Sequence, residues 1–140
     1  MGQAKCRRFE NKVVIVTAST AGIGLGIAQR LGAEGARVVV SSRRADNVAA
    51  AVRQLRGEGA EAAGVACHVG DPAQLQALVR FALDTYGAID AVVSNAAVNP
   101  AGGPILQMEV AAIDKILDIN GALTQTCASP APARLGRPPT

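Results

Sequence analysis

The sequence predicts an α/β protein built on a parallel sheet. Apolar runs of strand length alternate along the chain with stretches whose apolar residues recur at helical spacing. Each run closes on a glycine or a charged turn, as β-α-β units require. A chain of 140 residues, 49% of them hydrophobic, is sized to bury one core.

The elements follow in order. A first strand is expected at Val13–Thr17, then a helix from about Ile23 to Ala33 with Ile23, Ile27 and Leu31 on its apolar side. "ARVVVSS" supplies strand two at Val38–Ser41. A helix over Asp46–Arg56 presents Val48, Val52 and Leu55, and "GEGAEAAG" reads as a turn into a short strand at Val65–Cys67. Asp71 and Pro72 form an N-cap with proline at the first helical position, opening a helix with Leu75, Leu78, Val79 and Ala82 inward. "GAIDAVVSNAA" is the fourth strand, and "MEVAAIDKILDIN" a last helix with Val110, Ile113 and Leu117 along its apolar side. The segment from Gly121 carries prolines at four positions after Ser129 and no regular period, so a disordered tail is expected over 121–140. The chain thus divides into an extension at 1–10, a domain at 11–120 and that tail.

Composition narrows the function. A net charge of +3 with scattered arginines and 2% aromatics gives neither a phosphate-tracking stripe nor a base-stacking platform, so no nucleic-acid partner is expected. Cys6, Cys67 and Cys127 lack metal-ligand spacing and there is one histidine, so no metal site is expected. No apolar run approaches the roughly 18–20 residues that span a bilayer, and no membrane partner is expected.

The stretch "VIVTASTAGIG" runs a buried strand through a glycine turn into a helix. A pyrophosphate needs backbone N–H groups at a helix start with no side chain in the way, and Gly22 and Gly24 meet that need. The full G-x-G-x-x-G is absent, and tight packing calls for glycine as well. Its place after the first strand of a β-α-β unit favours the phosphate reading. Ala18 is tolerable in this turn if its φ stays negative.

The pattern T-x-x-x-x-G-x-G at Thr17, Gly22 and Gly24, then "SNAA" after strand four and "LDIN" on the next helix, resembles the classical short-chain dehydrogenase/reductase family. Ala18, Ser94 and Ala97 depart from the family's usual T-G and N-N-A-G. "VTAST", "VVVSSR", "CHVG" and "VSNAAVNP" resemble its NADPH-dependent carbonyl-reductase and tropinone-reductase-like branch, over nearly everything from Asn11 to Asn120. The resemblance implies a Rossmann-type three-layer parallel sheet, here its N-terminal half of about four strands with flanking helices. It also implies cofactor contacts at Thr17, Ser19, Thr20, Gly22, Ile23 and Gly24, at Ser42, Arg43 and Arg44, at His68 and Val69, and at Asn95, Ala96 and Ala97.

NADP(H) is the expected cofactor. An acidic residue at the end of strand two would hold the ribose hydroxyls of NAD; Ser42 stands there, followed by Arg43 and Arg44, and a guanidinium suits a phosphate. Without the resemblance, two exposed arginines at a helix approach explain these residues equally well. His68 either contacts the base edge or sits in a turn, with the turn favoured.

Of the residues that the resemblance implies for carbonyl reduction, Asn120 matches the relay asparagine, while the serine and the Tyr-x-x-x-Lys pair have no match in the chain. Tyr86, the single tyrosine, is expected to pack at a helix C-terminus, since a phenol near pKa 10 is a poor acid without a nearby cation. Ile89, Val92 and Val93 are expected on or near an open sheet edge. The expected function is therefore the NADP(H)-binding half of a carbonyl oxidoreductase, inactive alone. The alternatives are a non-catalytic module that holds NADPH or docks on full-length family subunits, and a truncated product without a function. The chain ends "RPPT" rather than in a peroxisomal tripeptide, so a cytoplasmic location is expected.

Overall fold

The computed structural model describes residues 7–98, 104 and 107–128, with side chains described as far as 121. Four strands, β1 (Val13–Val16), β2 (Arg37–Ser42), β3 (Glu61–Ala66) and β4 (Ala91–Val93), alternate with four helices, α1 (Gly22–Ala33), α2 (Ala45–Gly57), α3 (Pro72–Tyr86) and α4 (Val110–Ala128). All strand pairs are parallel and the order is β3-β2-β1-β4. The chain therefore steps outward from β1 to β3, then crosses to the other side of β1. That reversal opens a crevice at the carboxyl ends of β1 and β4.

The sheet separates two apolar layers, giving the expected three-layer architecture. Val14, Val16, Val38 and Val40 face α1 and α2, where they meet Ala28, Val48, Ala51 and Leu55. Ile15 and Val39 face the other way, onto Leu75, Leu78 and Ala82 of α3, with Cys67 and Ile89. Because both faces of β1 are covered, all four of its residues are buried, which explains its unbroken apolar run. Burial, then the nearby Asp71 carboxylate, pushes the Cys67 thiol pKa upward.

Three expected details change. The segment read as a turn, Glu61 to Gly64, is the first part of β3, paired residue by residue with Arg37–Val40. Alanine, glutamate and glycine are weak strand formers, but the ladder and close packing override that preference. A Cβ on Gly64 would lie 2.5 Å from Val48 Cγ1, so only glycine lets α2 approach the strand. Second, α1 buries Gly24, Ala28 and Gly32 most deeply; of the expected apolar side, Ile27 and Leu31 pack half-buried against the first layer, while Ile23 is 80% exposed. The small residues let this helix lie close, and a Cβ on Gly32 would come within 2.5 Å of Ala60. Third, α4 runs through Gly121 to Ala128, past the expected start of the tail; residues 129–140 lie outside the described residues. Val110 and Leu117 of α4 point away from the core.

The ends of α3 follow the sequence reading. Asp71 is the N-cap, its carboxylate accepting from Ala73 and Gln74 N–H, Pro72 opens the helix, and Gly87 closes it at φ +77°. Gln74 and then the Ala73 amide hold the Asp71 carboxyl below its ordinary pKa. Tyr86 is half-buried against the second layer, as a packing residue, with burial and then Glu61 raising its phenol pKa. Ile89 is buried rather than at the edge, while Val92 and Val93 are half-buried on the outermost strand.

Candidate active site at the β1–β4 crevice

The crevice is organised around Thr17. Its N–H donates to Val93 O at 3.1 Å, and its Oγ1 accepts from the backbone N–H groups of Asn95 and Ala96, both at 3.1 Å. Asn95 returns the tie: Nδ2 donates to Thr17 O and Ala18 O at 3.1 Å each. The strand end, the turn after it and the segment after β4 are thereby one hydrogen-bonded unit.

Within that unit Ala18 adopts φ +49°, the left-handed region, and not the negative φ expected. The turn needs this conformation to deliver the chain into α1, and Asn95 holds the Ala18 carbonyl in place. A Cβ in this region costs roughly 1–2 kcal/mol, so the position is strained where glycine would be relaxed.

The two glycines of the turn have different roles. Gly22 has φ +57° and open space where a Cβ would stand, so it supplies backbone freedom and leaves the approach to α1 clear. Gly24 is enclosed: a Cβ there would meet Ala18 O and Asn95 Nδ2 at 2.5 Å each. Its bareness serves helix-to-turn packing, and Gly22 alone fits the expected role of keeping a phosphate approach open.

The N-terminus of α1 is bare. Ala21 stands at the cap without a side-chain hydrogen bond, and the first turn holds no acidic residue. The opening N–H groups of a helix have no intrahelical partner, and they carry the positive end of its dipole. α3 satisfies the same groups with Asp71; α1 leaves Gly22, Ile23 and Gly24 for an external acceptor. The residues present therefore fit an anion at this position.

The other expected contacts divide. Ser19 is fully buried, its hydroxyl donating to Val16 O at 2.6 Å and accepting from Ser41 N–H at 3.2 Å, while its own N–H donates to Ser41 O. Every polar group it could offer a phosphate, save its carbonyl, is engaged, so Ser19 braces the ends of β1 and β2 and is not a cofactor donor. Thr20 is half-buried in the turn before α1. Ser42 is half-buried at the end of β2, and Arg43 and Arg44 are exposed and form no ion pair among the described residues. Gly70 N–H donates to His68 Nδ1 at 3.0 Å, and His68 N–H donates to Gln74 Oε1 at 2.8 Å, an arrangement that serves the turn before α3. Val69 packs on the second layer, and Ala96 and Ala97 follow Asn95 along the crevice. Asn120 lies on α4, where its Oδ1 accepts from Val98 N–H at 2.9 Å and ties that helix to the chain beyond β4.

Sequence reasoning missed Ala21 as an uncapped helix start, although a residue other than Ser, Thr, Asp or Asn before Gly22 was a readable signal. It had no means to find the buried Ser19–Ser41 brace, which depends on the register of β1 against β2.

Fold and crevice together define an α/β domain that offers a helix N-terminus at a topological switch point, the architecture of dinucleotide-binding proteins. A family profile described as short chain dehydrogenase matches residues 12–131, and the chain belongs to that family. It is 53% identical over 114 residues to "Tropinone reductase-like 3" of Erythroxylum coca, covering 81% of this chain and 44% of that protein. It is 53% identical over 119 residues to "Dehydrogenase/reductase SDR family member 4" of Homo sapiens, covering 85% and 43%. The chain thus spans a little under half the length of these curated relatives. Among solved structures, it matches an actinorhodin polyketide ketoreductase variant with NADPH at TM-score 0.73 and 34% identity, covering 82% of this chain and 45% of that one. It also matches a short chain dehydrogenase/reductase from Burkholderia phymatum in complex with NAD at TM-score 0.75 and 29% identity, covering 84% and 42%. Structures of the family thus hold a nicotinamide cofactor of either kind. No helix among the described residues is long and apolar enough to cross a membrane.

Proposed function

We propose that this chain is the NADP(H)-binding half of a short-chain dehydrogenase/reductase acting on carbonyl compounds. The observation that carries the reading is the uncapped N-terminus of α1, set at the β1–β4 crevice with open space over Gly22. Its free amides and dipole favour the pyrophosphate, and Arg43 and Arg44 at the end of β2, which form no ion pair among the described residues, favour the additional phosphate of NADP(H) over the bare ribose of NAD. Names of relatives that include a tropinone reductase-like protein support a carbonyl substrate. The cofactor, when bound, supplies hydride. Thr17 and Asn95 hold the cradle's backbone, the opening amides of α1 bind the phosphates, and Asn120 fixes α4 through Val98.

The serine and the Tyr-x-x-x-Lys pair that a family reductase uses are not among these 140 residues, so the chain assayed alone binds cofactor without turnover. Titration of the 140-residue protein with NADPH and NADH tests this, read by cofactor fluorescence. Saturable binding with NADPH at least about tenfold tighter, reduced toward the NADH value in Arg43→Ala, is the expected result, since a charge-assisted contact is worth roughly one such factor. Equal affinities would remove NADP(H) preference, and steady carbonyl turnover would refute the catalytic argument.

A further inference from the structure

The β3 side of the sheet carries a feature that cofactor binding does not use. Among the described residues β3 pairs with β2 alone, which leaves its far edge without a strand partner there. Cys67 N–H donates to Ser42 O, so the amide groups of Ala63 and Val65, two and four residues earlier, turn toward β2 as well. Those of Ala62, Gly64 and Ala66 then turn outward. The Ala62 carbonyl confirms the direction, because it accepts from Arg56 Nε at 2.8 Å rather than from the ladder.

A groove of about 580 Å³ follows the first half of this edge, with Glu61, Ala62 and Ala63 as its floor. Arg56 near the end of α2 forms one wall, and Thr85 with Tyr86 at the end of α3 forms the other. The alanines leave room for a second backbone beside β3. The lining holds one guanidinium, Arg56, and one carboxylate, Glu61; Glu61 is engaged by Arg37 at 3.1 Å, while Arg56 forms no ion pair among the described residues. Tyr86 remains a neutral hydroxyl donor, its pKa raised by burial and by Glu61.

We infer that this edge of β3 is a docking site for an extended, carboxylate-bearing segment of a partner protein. The segment adds as a further strand, bonding the outward amides of Gly64 and Ala66, and its carboxylate meets the Arg56 guanidinium. Main-chain pairing supplies affinity and the charge selects the sequence, as in other strand-addition complexes.

The test uses the whole 140-residue chain, labelled with ¹⁵N, and two blocked peptides, Thr-Val-Glu-Val-Thr and Thr-Val-Lys-Val-Thr. Amide exchange at Gly64 and Ala66 should slow with the Glu peptide, which should bind about tenfold more tightly than the Lys peptide. Arg56→Gln keeps a donor for the Ala62 carbonyl but no charge, and should bring the two peptides within about twofold of each other. If that variant does not fold, the contrast between peptides on the unaltered chain decides. Exchange unaffected at millimolar Glu peptide, equal binding of both peptides, or amides already protected in the free chain would overturn the proposal. Self-association that protects the same amides would also overturn it, assigning the edge to a second copy. None of these outcomes depends on cofactor binding.

Discussion

Replacing Ala18 by glycine should stabilise the fold by about 1 kcal/mol. Ala18 sits at φ +49°, where an L-residue with a Cβ loses roughly 1–2 kcal/mol relative to relaxed backbone. Glycine removes that cost but adds about 0.4–1 kcal/mol of conformational entropy to the unfolded chain, which offsets part of the gain. The hydrogen bonds from Asn95 reach Thr17 O and Ala18 O, both backbone atoms, so they survive the change. Equilibrium unfolding in urea measures the result: the midpoint should rise with an unchanged slope, and the melting temperature should rise by about 4–6 °C for a domain of this size. Ala18→Val is the opposing control, since a β-branched residue is a true outlier at positive φ and should lower the midpoint. A glycine variant no more stable than the original chain would refute the strain argument and require Ala18 to be compensated by contacts of its methyl group.

Two further outcomes follow from the same geometry. Gly24→Ala should destabilise by about 1–3 kcal/mol, because its Cβ would press on Ala18 O and Asn95 Nδ2 at 2.5 Å; Gly22→Ala, in open space, should lose only the φ preference, and urea midpoints of the pair separate packing from backbone freedom. Glu34 is buried between Arg8, which grips both its oxygens at 2.6 Å, and Arg30 at 2.7 Å. The Arg8 hydrogen bonds, with the single one from Arg30, outweigh the opposing effect of burial and draw its pKa from 4.5 down to about 2. A depressed carboxyl pKa gives stability that is complete above the unfolded value and lost as pH falls through the folded one. Stability measured from pH 5 to pH 2 should therefore fall more steeply in the original chain than in Glu34→Gln, and parallel curves would count against the Arg8–Glu34–Arg30 cluster.

Much of this was legible in the sequence where local pattern and tertiary need coincide. β1 reads as a strand because it is buried on both faces, and Asp71-Pro72 reads as a helix start because cap and fixed φ are local chemistry. The misreadings share a cause. Glu61–Gly64 has turn-like composition, yet it pairs with β2, since its neighbours demand small residues and its ladder supplies the hydrogen bonds. The α1 stripe does place Ile27 and Leu31 against the core, yet Ile23 is exposed and Gly24, Ala28 and Gly32 sit deepest, because closeness of approach there outweighs side-chain area. In the site, the glycines pointed to the cradle, but a sequence pattern cannot separate Gly22, bare toward solvent, from Gly24, bare toward Asn95. The same limit hid the fate of Ser19, whose type suits a phosphate ligand and whose register makes it a brace.

The cradle is assembled from chain ends that the β1–β4 pairing brings together, so the proposed binding of cofactor is linked to folding. Thr17 N–H bonds Val93 O, Asn95 bonds the turn, and α1 begins where that turn ends, so separating β4 from β1 would release Ala18 and the opening amides of α1 together. A ligand that binds this assembled form alone stabilises it by RT ln(1 + [L]/Kd), about 2.7 kcal/mol at a hundredfold excess over Kd. That corresponds to a rise of roughly 10 °C or more in melting temperature for a domain near 100 residues. An affinity measured by fluorescence and one calculated from the melting shift should consequently agree. A ligand bound elsewhere, such as a strand on the β3 edge, would also shift melting, but Gly22→Val would leave that shift intact while abolishing the one produced by NADPH. The comparison distinguishes a cradle at α1 from any other nucleotide site on the chain.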